Sequence, residues 1–216
     1  MSCDTSFEDL CLADGAQFVA GADEVGRGAL AGPVVAAACI LNLRDLPDGI
    51  NDSKQLTRLQ RERLAGEIER RAIAFSVARI EHHEIDQINI LKASLRAMEL
   101  AIKALRPIPD YVLIDGRERV PNLDCPQSAI IKGDCRSVSV AAASILAKVK
   151  RDEWMREYEE KYPGYGFGSH AGYNTRIHQE AIARLGPSEI HRLSFKGVLF
   201  SQGSLNFDSP DEESPQ

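Results

Sequence analysis

Four acidic residues sit at glycine-flanked ends of short apolar runs in this chain. Asp23 and Glu24 precede Val25-Gly26, Asp115 precedes Gly116, and Asp134 follows Gly133. Each closes a short apolar run, and short apolar runs bounded by glycine read as buried strands. One acid at a strand end is a common cap or turn former. Three such ends in one sheet would do more. If the strands end side by side, four carboxylates meet, and like charges at that range raise one another's pKa. Protons or cations must then sit among them. Mg²⁺, Mn²⁺ and Ca²⁺ are the hard cations that take oxygen ligands. Two such ions a few ångströms apart suit phosphodiester hydrolysis.

The residues after the first acids extend that reading. Gly26-Arg27-Gly28 leaves a backbone with little side-chain bulk next to Asp23 and Glu24. Its N–H and C=O groups can face a sugar–phosphate chain, and a 2′-hydroxyl, both donor and acceptor, can be recognised by such a surface. A tight turn that needs glycine explains Gly26 and Gly28 as well, and the two readings are compatible.

The positioning elements follow from patterning. Residues 16–24 and 33–42 read as buried strands joined by the glycine-rich turn, and 73–80 as a third strand. Thr57 and Gln60 fit a capping box that opens a helix. Ile90 to Leu105 carries an amphipathic stripe of Leu91, Leu95, Met98, Ile102 and Leu105. Residues 111–116 and 128–134 read as two more strands, ending at Asp115-Gly116 and Gly133-Asp134. A long helix begins near Ser137 and runs to Pro163, and Thr175 caps a short one. The expected fold is α/β with a mixed sheet.

Composition bounds the rest. The 216 residues, 44% of them hydrophobic, supply one sizeable core with at most a small appendage. The apolar run from Ala29 to Leu41 is interrupted by Gly32 and Pro33 and is too short to cross a bilayer. The acidic MSCDTSFEDL start does not resemble a signal peptide, so a cytoplasmic, membrane-free protein is expected. Five scattered cysteines and five scattered histidines suggest reduced, structural thiols and no zinc site, with His82-His83 on the solvated surface. Residues 1–14 and 208–216 hold eight acids and no Lys or Arg, so the formal charge of −6 becomes +2 for the body between them. Polyanion binding is therefore open.

D-E-V-G-R-G followed by A-G-P-V-V resembles the signature of type 2 ribonuclease H, the bacterial ribonuclease HII. The resemblance continues through N-D-S-K (51–54), L-I-D-G (113–116), I-K-G-D (131–134) and S-V-A-A-A-S-I-L-A-K-V-x-R-D (139–152). It ends with Y-G-F (165–167), G-Y-x-T (172–175) and H-R-x-S-F (191–195), in family order over residues 17–195. It implies an RNase H-like fold, a five-stranded mixed sheet flanked by helices with a C-terminal helical extension. It implies cleavage of RNA in RNA–DNA hybrids and incision 5′ of single ribonucleotides in duplex DNA, leaving 3′-hydroxyl and 5′-phosphate ends. By resemblance Asp23, Glu24, Asp115 and Asp134 are the ligands of Mg²⁺ or Mn²⁺. Gly26, Arg27 and Gly28 contact the 2′-hydroxyl, and Tyr173 senses the junction by stacking on the next deoxyribose. Two departures stand out: Ala171 where many members have Lys, and Cys135 where a small alanine is usual, which exposes the site to oxidation or soft metals.

Other residues carry weaker readings. Lys54 is either a phosphate contact or an exposed loop lysine. Lys148 shares a face with Ser144 on the long helix, whose N-terminus points toward the acids. Trp154, Tyr158 and Tyr162 read as packing. The sheet core is expected over about 16–150 and a C-terminal helical part over 151–200, together one catalytic domain in a monomer, followed by a disordered acidic tail at 201–216. In that tail Gln202, Leu205 and Phe207 resemble the peptides that bacterial replication proteins insert into the sliding clamp. Two alternatives remain at this point. One is another nuclease of the same fold, such as a type 1 ribonuclease H, a resolvase or a transposase core. The other is a non-catalytic nucleic-acid-binding module, which four intact carboxylates argue against.

Overall fold

The computed structural model describes residues 3–199. Five strands form one sheet: β1 (Val19–Val25), β2 (Val34–Ile40), β3 (Ala74–Ile80), β4 (Tyr111–Asp115) and β5 (Gln127–Ile130). Their order is β3-β2-β1-β4-β5. The first three are antiparallel neighbours, and β4 and β5 run parallel to β1. The helices are α1 (Ser6–Ala13), α2 (Arg58–Arg71), α3 (His82–Ile88), α4 (Ile90–Ala104), α5 (Val138–Lys161), α6 (Phe167–His170) and α7 (Arg176–Leu185).

Strand alternation sorts the core into two layers. Val34, Ala36, Ala38 and Ile40 of β2 meet Ala93, Ala97, Met98 and Ala101 of α4. Val35, Ala37 and Cys39 face the other way, onto Leu64 and Ile68 of α2 and Ala142, Ile145 and Leu146 of α5. So many alanines let helices approach closely. Gly21 on β1 takes this furthest: a Cβ there would lie 2.1 Å from the Ser139 carbonyl carbon. The start of α5 therefore rests on the β1 backbone, two residues before Asp23.

α5 is continuous for 24 residues. Its first half is buried on the sheet, while Met155 joins Tyr165, Phe167, Ala181 and Ile190 in the C-terminal cluster. A boundary near residue 150 thus falls inside one rigid helix. Trp154 packs on the sheet-side cluster, and Tyr158 and Tyr162 on the C-terminal one.

The structure adds to or departs from the sequence reading in four places. α1, α3 and α6 were not expected. The N-terminal segment, read only for its charge, packs on the body: Glu8 is buried and its Oε1 accepts from Ser137 Oγ at 2.5 Å and from the Ser139 N–H at 2.9 Å. β5 stops at Ile130, four residues early: Lys132 takes a left-handed conformation (φ 57°), and Asp134 sits in a 3₁₀ turn, Gly133–Cys135. His82 opens α3 half-buried rather than lying on the surface.

Candidate metal centre and nucleic-acid interface

The parallel pairing of β1 with β4 brings the first acids together. Its last register pair is Ala22↔Ile114, and Asp23 and Asp115 are the next residue on each strand. Asp115 in turn pairs with Ile130, the last residue of β5, and the 3₁₀ turn after β5 returns Asp134 to the same sheet end. The Gly133 N–H donates to Asp115 Oδ1 at 2.7 Å. The Glu24 N–H donates to Asp23 Oδ1 at 2.7 Å. Ser144 Oγ lies 3.0 Å from Ser53 Oγ. Glu24 pairs with Arg27 at 3.0 Å.

The electrostatics match a cation-seeking cluster. Burial, with Asp115 and Glu24 beside it, raises the Asp23 carboxyl well above the usual carboxylate range. Burial raises Glu24 too, against the hydrogen bond from Arg27. Burial and then Asp134 raise Asp115. Three of the four acids thus disfavour their charged form unless a positive partner arrives.

Lys54 is more than a loop lysine. Its Nζ sits 2.8 Å from Asp134 Oδ2, and that hydrogen bond raises the ammonium's pKa. Its neighbour Asp52 escaped the sequence reading. Asp52 is buried, its Oδ1 accepts from the Lys54 N–H, and a carboxylate oxygen of it lies within 4.8 Å of one from Asp134 and of Cys135 Sγ. An acid two residues before Lys54 was the available signal. Cys135 Sγ donates to Asp52 Oδ2 at 3.5 Å. Burial, Asp134 and Asp52 push its thiol up to about 12. While Asp134 and Asp52 stay charged beside it, the thiolate form of Cys135 is disfavoured.

The glycine loop lies beside this cluster. Gly28 is exposed, and nothing stands within 4 Å of where its Cβ would be. Ala29 bridges antiparallel to Tyr173, so the half-buried tyrosine borders the same loop. Next to Tyr173 opens a cleft of about 460 Å³ whose lining includes Arg58, Arg61, Lys148, Arg156 and Ala171. Lys148 pairs with Asp152 at 2.7 Å and lies 5.9 Å from the Tyr173 ring centre. The three arginines supply positive charge in the cleft that Ala171 lines, where a lysine was expected. Three scattered histidines also converge here: His170 stacks on His178 at 4.6 Å, and His178 meets His191. No motif spacing announced that. Gln202, Leu205 and Phe207 lie outside the described residues. Among the described residues, no helix is long and apolar enough to cross a membrane.

The model of the Ribonuclease HII family matches residues 20–198. The ribonuclease HII of Nitrosococcus oceani is 56% identical over 182 residues, covering 84% of this chain and 90% of that protein. That of Geobacter metallireducens is 52% identical over 193 residues, 89% of this chain and 90% of its own. Among solved structures, ribonuclease H2 from Pyrococcus horikoshii superposes with a TM-score of 0.71 at 28% identity, over 84% of this chain and 95% of that one. RNase HII of Archaeoglobus fulgidus, solved in complex with PCNA, gives 0.71 at 27% identity, over 88% of this chain and 98% of that one. A Bst-RNase HIII in complex with Mn²⁺ shares the fold, with a TM-score of 0.65 at 22% identity over 85% of this chain and 68% of that one.

Proposed function

The chain belongs to the ribonuclease HII family and is a type 2 ribonuclease H, an endonuclease acting on RNA–DNA; within that activity we propose that Asp23, Glu24, Asp115 and Asp134 hold two divalent cations, Mg²⁺ or Mn²⁺, and that the enzyme both cleaves the RNA strand of hybrids and incises 5′ of single ribonucleotides in duplex DNA. The observation that carries the reading is the buried Asp23, its carboxyl raised beside two further acids at the end of adjoining strands. The donor set fits: it is all carboxylate oxygen, as hard cations require, and it is destabilised by its own charge without them. Bound divalent cations would supply an activated water and charge neutralisation at the leaving oxygen.

The chain's own groups do the remainder. The Glu24 N–H orients Asp23, and the Gly133 N–H orients Asp115. Lys54 balances Asp134 and is placed to meet a phosphate as that charge is taken up. The bare backbone of Gly26, Arg27 and Gly28 meets the 2′-hydroxyl, and Tyr173 stacks on the following deoxyribose. The arginine-lined cleft, with Lys148 at its wall, receives backbone phosphates.

The test is cleavage of two substrates, DNA with one embedded ribonucleotide and a continuous hybrid, with Mg²⁺ and with Mn²⁺. Product ends of 3′-hydroxyl and 5′-phosphate are expected on both, with cleavage 5′ of the ribonucleotide. Asp115→Asn and Asp134→Asn should each fold and lose at least about a hundredfold in turnover, as loss of a charge-stabilising group does. Near-normal cleavage by either variant at saturating metal would sink the assignment.

The complex of the Archaeoglobus enzyme with PCNA supports extending the reading to the tail. Leu205 and Phe207 would enter an apolar pocket of a sliding clamp, with Gln202 fixing orientation. So small a contact gives weak, reversible affinity. The full-length protein should bind the clamp of its own organism, and a Leu205→Ala, Phe207→Ala variant should lose binding while cleaving a free oligonucleotide normally. Absence of binding by the full-length protein at tens of micromolar clamp removes this part.

A further inference from the structure

The H-R-x-S-F segment has no assigned task, yet its first two side chains are fully buried: His191 is 1% exposed and Arg192 0%. Neither reaches solvent, and neither bonds any of the four acids. Both are tied instead to the two loops assigned to substrate reading.

Three chain segments meet here. The Leu30 N–H donates to the Gly172 carbonyl at 2.8 Å, the Arg192 N–H to the Leu30 carbonyl at 2.8 Å, and the Gly32 N–H to the Ile190 carbonyl at 2.9 Å. Arg192 adds two side-chain bonds, Nε to the Gly32 carbonyl and Nη1 to the Arg27 carbonyl, each at 3.0 Å. The middle residue of Gly-Arg-Gly is thus held by the guanidinium of the H-R pair.

His191 reaches the other loop through His178. The Ser188 N–H donates to His191 Nδ1 at 2.8 Å, so that nitrogen carries no proton and Nε2 does. His191 Nε2 lies 3.1 Å from His178 Nε2 and donates to it. His178 must then be protonated on Nδ1, which donates to the Tyr173 carbonyl at 3.0 Å. A backbone donor at one end and a backbone acceptor at the other fix both tautomers. All four ring nitrogens are satisfied, which apolar packing would not require and which makes the chain of bonds directional.

We propose that His191 and Arg192 are positioning residues for substrate specificity: Arg192 sets the Arg27 carbonyl and His191, through His178, sets the Tyr173 carbonyl, so that the 2′-hydroxyl reader and the junction tyrosine are held at one separation. This rests on the assignment of those two loops above. Reading a hydroxyl with one loop and the next sugar with the other requires both within a fraction of an ångström. A continuous hybrid, which offers 2′-hydroxyls at every step, makes less demand on that spacing.

The experiment compares kcat/KM on DNA with one embedded ribonucleotide against a continuous hybrid, for the full chain and its variants, with thermal melts alongside. His178→Leu, which cuts the chain, should lower the embedded-to-hybrid ratio about tenfold, on the scale of one misplaced hydrogen bond. His178→Asn, which keeps a donor near the Nδ1 position, should restore most of the ratio. In a Tyr173→Ala background His178→Leu should change the ratio no further. Arg192→Lys, which keeps the charge and loses the fork, should lower the ratio independently of His178 and serves if His178→Leu does not fold. A ratio that falls with Tyr173→Ala but stays unchanged in folded His178→Leu and Arg192→Lys overturns the positioning role alone. A ratio unaffected by Tyr173→Ala overturns the reading of Tyr173, and this proposal with it.

Discussion

Two glycines two residues apart separate a structural demand from a functional one. Gly26 has φ +92°, and a Cβ there would lie 2.2 Å from Arg151 Nε. Arg151 is itself committed, donating to the carbonyls of Pro33, Ala31 and Ala171. Gly26→Ala therefore meets both left-handed strain and a displaced buried guanidinium. It should destabilise by roughly 2–3 kcal/mol, visible in urea unfolding. Gly28 has open space and no such conformation. Gly28→Ala should unfold like the parent, within about 0.5 kcal/mol, so any activity it loses reports what approaches the loop from outside. Full activity of Gly28→Ala on both substrates would mean that the substrate keeps its distance there.

At the scale of elements, α1 shows how much of the fold a local reading can miss. Its acids read in sequence only as net charge, but Glu8 is buried at the N-terminus of α5, bonded to Ser137 and Ser139. Glu8→Ala should cost about 2 kcal/mol, and Glu8→Gln about half of that, with an unchanged denaturant slope. Equal stability of all three proteins would reduce α1 to an accessory. Other elements were legible because their signals are local. The Thr57–Gln60 capping box is present as read, and the stripe on α4 is buried at Met98, Ile102 and Leu105, while Leu91 at its start is exposed. The acids were legible through their glycines. Asp52, the early end of β5 and the meeting of His170, His178 and His191 were not, because long-range contacts decide them. The histidine pair adds a pH dependence. Burial, and then His178, push His191 down to about 4, with the Ser188 carbonyl, 3.3 Å from Nδ1, opposing and His82 adding a little. A histidine depressed in the native state contributes stability above its unfolded pKa near 6.5, lost as pH falls toward about 4, and worth roughly 3 kcal/mol in all. His191→Gln should flatten that acid limb of the unfolding free energy.

The whole molecule places this acid-sensitive joint beside a carboxylate cluster of opposite sense. Asp23, Glu24 and Asp115 are all raised, chiefly by burial. Groups raised in the native state bind more protons folded than unfolded. Their contribution to stability is therefore present at acid pH and lost as pH rises through their raised values. On the proposed ligand set, divalent cations would replace those protons and bind the folded state preferentially, since only the sheet gathers the ligands. Without divalent metal, the melting temperature should fall as pH rises above the ordinary carboxylate range and through the raised values of these acids. Added Mg²⁺ or Mn²⁺ should restore it, and the increment should grow with pH because fewer protons compete. Asp23→Asn removes one buried charge. It should melt higher than the parent without metal at the alkaline end, and gain less from metal. The measurement is a set of thermal melts over that pH range, with chelator and with each metal, and it needs no substrate. A metal increment that is constant with pH, or an Asp23→Asn protein that responds to metal as the parent does, would place the cation-binding charge elsewhere than on Asp23.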